Sequence, residues 1–291
     1  MKVSIITPSY NQGQFIERTL QSVLKQRSED YELEYVVFDG GSSDETVQIL
    51  EQYSQSVRWV SKPDKGQTNA VNMGIDATDG EIIGWLNSDD VYYSDAVSQV
   101  VKYFIEHPNV DVVYGKADHI DVNDLPIEAY PTEPWNFERL KDTCFICQPA
   151  LFFRRSIVEA NGLLDESLNY CMDYEYWLRL GINGVKFSYL GEKLAGSRLY
   201  ADNKTLRSRV GVHKEINKVL IRLFHKVPDK WIYSYAHAIV LSKFDRKESP
   251  KLSVLFLCAV TLFSTFIWNK SISMEMRGNL IQWLKGVNWK K

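Results

Sequence analysis

The chain of 291 residues has only four cysteines, and they do not form a disulfide framework. Two of them belong to "CFIC", a single C-x-x-C motif without a second pair, so a zinc site is not expected. A redox role is not expected either, because the motif lacks the strand and helix context of thiol oxidoreductases. Cys144, Cys147, Cys171 and Cys258 are therefore predicted to be reduced thiols of a cytoplasmic protein.

Three common sequence signals are also absent. The first residues, "MKVSIITPSYN", lack the basic region and apolar core of a secretory signal, so we expect a protein that is not a secreted precursor. The sequence contains no G-x-x-x-x-G-K-[ST] loop, and no G-x-G-x-x-G motif follows the first strand-like segment. P-loop hydrolysis and dinucleotide redox chemistry are therefore not expected.

Acidic residues become scarce in the last third of the chain, although the net charge of the whole chain is only −3. Residues 1–203 carry 17 Lys and Arg against 32 Asp and Glu, a net charge of −15, whereas residues 204–291 carry 17 against 5, a net charge of +12. This asymmetry predicts that the basic segment contacts a membrane surface or a phosphate-bearing partner. The alternative is a basic helical face that packs on the acidic part of the chain.

Strand-like and helix-like segments alternate through the first half of the chain. The strand-like segments are "KVSIIT", "LEYVVFD", "VRWVS", "EIIGWLN" and "VDVVYG", and amphipathic segments of helix length lie between them. This alternation predicts an α/β fold with a Rossmann-like, mostly parallel sheet and flanking helices. From about residue 116 the extended pieces become shorter, and after residue 203 the sequence predicts a C-terminal helical extension.

Polar clusters follow four of the predicted strands: "TPSYNQ" at 7–12, "DGGSSDET" at 39–46, "KPDKGQ" at 62–67 and "NSDD" at 87–90. Each cluster alone is typical of a turn, and Asp44 is placed to cap the helix that follows it. The carboxyl ends of parallel strands lie at one edge of a sheet, where open α/β sheets bind nucleotides. The four clusters together therefore predict a nucleotide site.

The stretch "GEIIGWLNSDD" ends a buried-type strand with two adjacent aspartates. Neighbouring carboxylates repel each other unless water or a cation separates their charges. One interpretation is a solvated turn in which Asp89 caps the next helix. The other is a divalent-metal site in which Mg²⁺ or Mn²⁺ bridges the aspartates to a nucleotide diphosphate. The presence of the other three clusters at the same predicted edge of the sheet favours the metal site.

Five stretches carry a resemblance to a known family: "VSIITPSYNQGQFIERTLQSVLKQ", "YVVFDGGSSDETVQIL", "KPDKGQTNAVNMGI", "GEIIGWLNSDD" and "CMDYEYWLRL". Together they closely resemble the family 2 nucleotide-sugar glycosyltransferases over roughly residues 2–200. The resemblance implies the A-type glycosyltransferase fold and inversion at the anomeric carbon, with Mn²⁺ or Mg²⁺ as cofactor. It also implies a catalytic domain over 1–203, with a nucleotide-binding half at 1–115 and an acceptor-binding half at 116–203, ahead of the extension at 204–291.

The implied reaction moves a sugar from a nucleotide-diphosphate donor, expected to be a UDP-sugar, to a hydroxyl of a glycan or lipid-linked acceptor. The expected role is in bacterial surface polysaccharide or glycolipid synthesis. Pro8, Ser9 and Tyr10 would line the nucleoside pocket, and Asp39 would accept a hydrogen bond from the base. Asp64 and Gln67 would help frame the donor. Asp90 would be the principal metal ligand, and Asp89 would reach the ribose or the metal.

The resemblance assigns the catalytic base to Asp173 at the start of a helix, and Gln148 would contact the acceptor. Glu175 is a poorer base, because two residues along a helix turn its side chain about 200° away from that of Asp173. Three positions depart from the family pattern. Asn87 occupies the first position of the D-x-D motif, Met172 stands where many relatives have an acid, and Tyr200 stands where the family pattern has a histidine. A metal or diphosphate contact from the loop of Tyr200 is therefore not expected.

Three other classes of protein were weighed against this interpretation. A nucleotidyltransferase would want a basic phosphate-binding loop near its amino terminus, and "TPSYNQGQ" has no Lys or Arg. A catalytically inactive sugar-nucleotide-binding module would need the nucleoside pocket but not Asp173. A purely structural protein would need none of the four clusters. No feature of the sequence predicts binding to nucleic acid.

The basic extension contains "LSVLFLCAVTLFSTFIW", 17 uncharged residues at 252–268, which is slightly short of the ~20 needed to span a bilayer. Basic residues lie on both sides of it: Lys243, Arg246, Lys247, Lys251 and Lys270. In the following "MEMRGNLIQWLKGVNWKK", one helical face is apolar: Met276, Leu280, Trp283, Leu284 and Val287. Arg277, Lys285 and Asn288 lie largely off that face.

These features predict peripheral attachment to the inner face of the plasma membrane through residues 252–289. The alternative is a helical extension that folds onto the catalytic domain or pairs two subunits. The pairing of two subunits would make the protein a homo-oligomer.

Overall fold

The computed structural model describes residues 1–244 and 249–286, and the chain divides into two compact units. The first comprises Met1–Phe137 and Cys144–Tyr200, and the second comprises Glu138–Thr143 and the chain from Ala201 onward. The predicted α/β fold with flanking helices and a C-terminal helical extension is confirmed. The domain limits at 115 and 203 remain predictions.

Nine strands of the first unit form one sheet: β1 Lys2–Ser9, β2 Glu32–Asp39, β3 Arg58–Ser61, β4 Ile82–Trp85, β5 Val91–Tyr92, β6 Val112–Ile120, β7 Pro126–Ala129, β8 Leu151–Arg154 and β9 Phe187–Arg198. The helices of the first unit are α1 Gly13–Leu24, α2 Thr46–Gln52, α3 Gln67–Asp76, α4 Ala96–Glu106, α6 Arg155–Asn161 and α7 Met172–Ile182. Helix α5, Phe137–Asp142, runs from the first unit into the second.

The order of the strands is β3-β2-β1-β4-β8-β6-β9-β5, and β7 pairs with β6. Strands β1 to β4 are parallel, as the alternation of strands and helices requires. Beyond β4 the sheet is mixed, because β8 runs antiparallel to both β4 and β6 while β9 runs parallel to β6. The strict alternation of strands and helices ends after residue 116, where the short connection between β6 and β7 at residues 121–125 permits antiparallel pairing.

The central strands are apolar because both faces of the sheet are covered. Every residue of β1 from Val3 onward and every residue of β4 is buried, as is typical of parallel sheets. Helix α1 buries Ile16, Leu20 and Val23 in the core of the sheet. These residues recur at helical spacing, so one face of α1 covers the sheet while the other carries its polar residues.

Strand β9 was not predicted from the sequence. Its sequence, "FSYLGEKLAGSR", interrupts the strand pattern with Gly191, Glu192 and Lys193, all exposed. Helix α7 was predicted, and its inner face buries Tyr176, Trp177 and Leu180 with at most 1% of each exposed.

The second unit is helical: α8 Lys204–Arg207, α9 Arg209–Phe224, α10 Asp229–Lys243, α11 Pro250–Asn269 and α12 Met274–Lys285. Its core contains Ala236 and Val240 of α10 with Leu257 of α11. The end of α11 is held by two hydrogen bonds of 2.8 Å between the Asn269 side chain and the backbone of Val227.

The apolar face predicted for α12 packs inside this unit. Met276 and Leu280 are buried, and the Trp283 ring lies 5.2 Å from the Tyr233 ring of α10. Met276 and Leu280 are therefore covered within the unit, Trp283 is partly exposed, and membrane attachment through residues 252–289 remains a prediction. Arg246, Lys247, Val287 and Asn288, which the membrane prediction also used, lie outside the described residues.

We predict that Gly84→Ala destabilises the first unit. A methyl group at Gly84 would lie 2.7 Å from both Ile5 Cδ1 and Phe152 Cε1, which is closer than carbon atoms can pack. The expected loss is about 1–3 kcal/mol of the free energy of unfolding, measured by urea denaturation. Gly191→Ala is the matched control, because a methyl group there meets nothing within 4 Å, and equal effects of the two variants would contradict the prediction.

Candidate active site

The parallel strands bring their carboxyl ends to one edge of the sheet. Ser9 of β1 is in register with Asp39 of β2, which in turn is in register with Ser61 of β3. Leu86, directly after β4, donates its backbone N–H to the carbonyl of Ile6 over 3.0 Å. The four polar clusters therefore begin at the same edge.

The loops after β1 and β2 are joined by hydrogen bonds. The backbone N–H of Asn11 donates to Ser42 Oγ over 2.7 Å, and Asn11 Oδ1 accepts from the backbone of Ser43 over 2.9 Å. Asn11 has φ of 51°, a left-handed conformation that asparagine tolerates. Asp44 accepts from the backbone of Thr46 and of Gly13, and so links the starts of α1 and α2.

Asp39 shapes the loop that follows it. Its carboxylate is 2% exposed and accepts from Ser42 Oγ, from the backbone of Gly41 and Ser42, and from Ser61 Oγ at 2.6 Å. These contacts fix the turn at Gly41, which has φ of 82°, against the end of β3. The carboxylate already accepts four hydrogen bonds from the chain, and its hydrogen bond with the nucleobase of a donor remains a prediction.

The residues predicted for the nucleoside pocket differ in exposure. Pro8 and Ser9 are buried at the end of β1, whereas Tyr10 is 62% exposed. Ser9 Oγ is buried without a hydrogen-bond partner among the described residues. Such a group normally has a partner, so this hydroxyl is suited to a ligand or a water molecule.

Asp64 and Gln67 lie in the loop after β3 and at the start of α3. Asp64 Oδ1 accepts from the backbone of Gly66 over 2.7 Å, and its other carboxylate oxygen lies beside Gly40 of the β2 loop. Gln67 Nε2 donates to Asn87 Oδ1 over 2.8 Å. Gln67 therefore joins the third cluster to the fourth.

Asn87 is the centre of a side-chain network under the aspartate pair. Its Oδ1 accepts from Gln67 and from Trp85 Nε1, and its Nδ2 donates to Gln148 Oε1 over 2.9 Å and to Asp90 Oδ2 over 3.2 Å. The amide nitrogen of Gln148 donates to the carbonyl of Trp85. Gln148 therefore orients Asn87, and its predicted contact with an acceptor remains a prediction.

Of the aspartate pair, Asp90 is buried and Asp89 is partly exposed. Asp90 is 4% exposed, and its Oδ1 accepts from the backbone of Arg198 over 2.9 Å. Burial, and then the charge of Asp89, raise the pKa of Asp90 to about 8. Burial also raises the pKa of Asp89. The pair therefore resists carrying two negative charges, which a divalent cation would offset.

The two carboxylates suit a cation whose remaining ligands come from a substrate and water. No group of three or more His, Cys, Asp and Glu side chains that could hold a metal ion occurs in residues 1–244 and 249–286. Asp89 and Asp90 would therefore leave positions for diphosphate oxygens and water, as Mg²⁺ commonly requires.

Two residues at the end of β9 complete the site, and sequence reasoning did not assign them this role. Arg198 is fully buried, donates from Nε to the carbonyl of Asp89 over 2.7 Å, and stacks its guanidinium 4.6 Å from the Phe15 ring centre. Tyr200 Oη donates to Asp89 Oδ2 over 3.0 Å, and its ring lies 4.9 Å from that of Phe15. No local pattern around "GSRLY" could have identified these contacts.

Asp173 lies in the first turn of α7, where its Oδ1 accepts from the backbone of Tyr174 over 2.7 Å. Burial raises the pKa of the Cys147 thiol, and the charges of Asp90 and Asp173 raise it further. Glu175 is 3% exposed and accepts from Arg179 over 3.1 and 3.2 Å, so its carboxylate is neutralised within the helix.

Comparison with known proteins supports the family resemblance. The sequence profile of Glycosyl transferase family 2 matches residues 4–162. An uncharacterized glycosyltransferase of Rickettsia prowazekii is 29% identical over 217 residues, which cover 70% of this chain and 65% of that protein. The hyaluronan synthase of Pasteurella multocida is 30% identical over 226 residues, covering 75% of this chain and 22% of that protein. The chain thus matches less than two thirds of either relative's length.

Solved structures share the fold. TarS residues 1–349 of S. aureus, in complex with UDP-GlcNAc, match 98% of this chain and 80% of that chain with a TM-score of 0.61 and 20% identity. The mannosyltransferase PcManGT of Pyrobaculum calidifontis, in complex with GDP-Man and Mn²⁺, matches 96% of this chain and 78% of that chain with a TM-score of 0.61 and 16% identity.

The raised pKa of Asp90 predicts a specific dependence of stability on pH in the metal-free protein. Between the ordinary pKa of 3.8 and about 8, the folded state keeps a proton that the unfolded chain has lost. The contribution of Asp90 to the free energy of unfolding therefore falls as the pH rises through this range. Urea denaturation with a chelator present should show this fall for the wild type and a weaker fall for Asp90→Asn.

Asp95→Asn is the control, because Asp95 is exposed ahead of α4 and should keep the wild-type pH profile. Adding Mn²⁺ should stabilise the wild type near the upper end of the range and leave Asp90→Asn unchanged. Identical pH profiles for the wild type and Asp90→Asn would contradict the raised pKa.

Proposed function

This chain belongs to glycosyl transferase family 2, and from that premise we propose that it is an inverting glycosyltransferase. It moves a sugar from a UDP-sugar to a hydroxyl of a glycan or lipid-linked acceptor. The observation that carries the proposal is the adjacent pair of the partly exposed Asp89 and the buried Asp90, at the sheet edge where the four polar clusters begin. That arrangement suits a nucleotide diphosphate, whose charge the carboxylates could not meet without a cation.

The donor would bind along the ends of β1 to β4. Pro8, Ser9 and Tyr10 would line the nucleoside pocket, and the unpartnered hydroxyl of Ser9 supports this placement. Asp39 would accept a hydrogen bond from the uracil base. The complex of TarS with UDP-GlcNAc supports a uridine donor, although the mannosyltransferase neighbour holds GDP-Man.

The sugar and diphosphate would lie beside α3 and the aspartate pair. Asp64 and Gln67 would frame the donor. Asp90 and Asp89 would hold Mn²⁺ or Mg²⁺, which supplies Lewis-acid stabilisation of the departing nucleotide diphosphate. The Mn²⁺ in the mannosyltransferase neighbour supports a metal requirement. Arg198 and Asn87 keep the Asp90 carboxylate in place, so it need not reorganise during the reaction.

The acceptor hydroxyl must lose a proton as it attacks the anomeric carbon from the face opposite the diphosphate. Asp173 would take this proton as general base. Its position in the first turn of α7 supports this role. Glu175 is unsuited, because Arg179 already neutralises it.

Hyaluronan and chondroitin synthases among the relatives support a role in polysaccharide synthesis. We place the enzyme in bacterial surface polysaccharide or glycolipid synthesis, in the cytoplasm at the inner face of the plasma membrane. The decisive assay incubates the pure protein with UDP-sugars and GDP-Man, with Mn²⁺, Mg²⁺ or chelator, and measures released nucleoside diphosphate. Binding of a donor without release under any of these conditions, with and without glycan acceptors, would instead indicate an inactive sugar-nucleotide-binding module.

We predict that Asp90→Ala abolishes transfer and the metal-dependent part of donor binding, because it removes the principal metal ligand. Donor affinity is measured by calorimetry with and without Mn²⁺. Asp76→Ala, an exposed position at the end of α3, is the control and should retain wild-type activity. Full activity of Asp90→Ala in chelator would rule out the proposed metal site.

We predict that Asp173→Asn lowers turnover by about 10²–10⁴-fold while donor affinity stays nearly unchanged, as expected when a general base is lost. Steady-state kinetics and calorimetry separate the two effects, and Asp95→Asn serves as the control. A parallel loss of donor affinity and rate would identify Asp173 as a donor ligand or a structural residue instead.

A further inference from the structure

Helix α11 exposes more of its large apolar side chains than it buries, and it buries hydroxyl groups beside Leu257 and Cys258. It is the one helix in the described part of the chain that is long and apolar enough to cross a membrane by length and composition. Its large apolar side chains point outward at helical spacing, with between 41% and 71% of each exposed: Leu252, Leu255, Leu262, Phe263, Phe266 and Ile267. We call this surface the apolar face of α11.

The opposite side of α11 buries hydroxyl groups. Ser253, Thr261, Ser264 and Thr265 are at most 3% exposed, and Thr265 Oγ1 donates to Met276 Sδ of α12 over 2.9 Å. Ser253 Oγ and Thr261 Oγ1 are buried without a hydrogen-bond partner among the described residues. In water this orientation costs free energy twice, since polar groups are buried while phenylalanines are exposed.

Charge indicates which partner covers the apolar face. Helix α11 has no acidic residue, Lys251 lies in its first turn and Lys270 follows its end. The segment 204–291 carries a net charge of +12. A second copy of this unit would bring two strongly basic surfaces together, whereas an anionic lipid surface attracts them.

The packing of α12 decides how α11 meets the lipid. Met276 contacts Thr265, and Trp283 packs against the cluster that contains Leu257. The helix α12 therefore runs beside much of α11, and it carries Arg277 and, two residues after Trp283, Lys285. If α11 crossed the bilayer, these charges would enter the hydrocarbon region, which is costly. A helix that lies in the plane of the interface keeps them in the headgroup region or in water.

We propose that α11 inserts its apolar face into the interface of an anionic bilayer, with the helix axis parallel to the membrane. Over 20 residues the helix would lie about 30 Å along the surface. Phe263 and Phe266 are the main inserted side chains, and the basic residues around α11 contact lipid headgroups. This proposal deepens the membrane location given above, but its test needs neither donor nor acceptor and so succeeds or fails independently of glycosyl transfer.

The test measures co-sedimentation of the full-length protein with vesicles of phosphatidylcholine, with and without phosphatidylglycerol. The wild type should bind the anionic vesicles, and binding should weaken on neutral vesicles and at high salt. The double variant F263Q/F266Q should bind anionic vesicles at least about tenfold more weakly, because it loses the two phenylalanines that insert into the bilayer. The control I105Q/I127Q removes equally exposed apolar side chains from the first unit and should bind like the wild type.

Equal binding of F263Q/F266Q and the wild type would overturn the proposal, as would a wild type that binds neither kind of vesicle. A wild-type dimer in the absence of lipid that F263Q/F266Q converts to a monomer, with vesicle binding unchanged, would also overturn it in favour of a second copy. An unchanged thermal unfolding midpoint for F263Q/F266Q excludes misfolding as the cause of weaker binding. The assay of nucleoside diphosphate release, run on the same samples, reports separately on catalysis.

Discussion

The placement of two adjacent carboxylates, one buried and one partly exposed, at the end of β4 is the constraint on which the active site depends. Asp89 and Asp90 cannot both ionise freely in such a place, and the raised pKa of Asp90 reflects that resistance. Arg198 offsets the negative charge with a backbone hydrogen bond to Asp90 and a guanidinium hydrogen bond to the carbonyl of Asp89. Tyr200 adds a hydroxyl donor on Asp89. The proposed cation would offset negative charges that this site carries poorly.

The neighbouring polar residues keep this pair in a fixed orientation. Asn87 donates to Asp90 and is itself hydrogen-bonded to Gln67 and Gln148, so one network of side chains joins the third and fourth clusters. Each member of the network has its amide groups bonded, which favours a single arrangement over several alternatives. Such a preorganised arrangement is what electrostatic stabilisation of a departing diphosphate needs.

The second unit obeys a different constraint. Helices α10 and α12 bury apolar side chains such as Val240 and Leu280 in the usual way, whereas α11 buries threonine and serine and exposes Phe263 and Phe266. Small hydroxyl-bearing residues on the buried side of a helix are typical of helix contacts in membrane proteins. The apolar face that remains is then suited to lipid rather than to water.

The sequence by itself determined the parallel strands β1 to β4, the polar clusters at their ends, the start of α7 at Asp173 and the helical nature of the extension. These features are local: each follows from hydrophobic periodicity and turn residues within about ten positions. The tertiary structure alone decided the features that depend on residues far apart in the chain. Arg198 and Tyr200 contact Asp90 and Asp89 across more than 100 positions, and no local period in "GSRLY" encodes that contact.

The extension shows the same limit. Both of its apolar helices were predicted to meet a membrane, yet Met276 and Leu280 of α12 are buried within the unit and the exposed apolar face belongs to α11. Hydrophobic spacing defines the faces of a helix but not which face a neighbouring helix will cover. That choice was made by packing, because Thr265 of α11 accommodates Met276 of α12 and the phenylalanines on the other side of α11 find no such partner in the described chain.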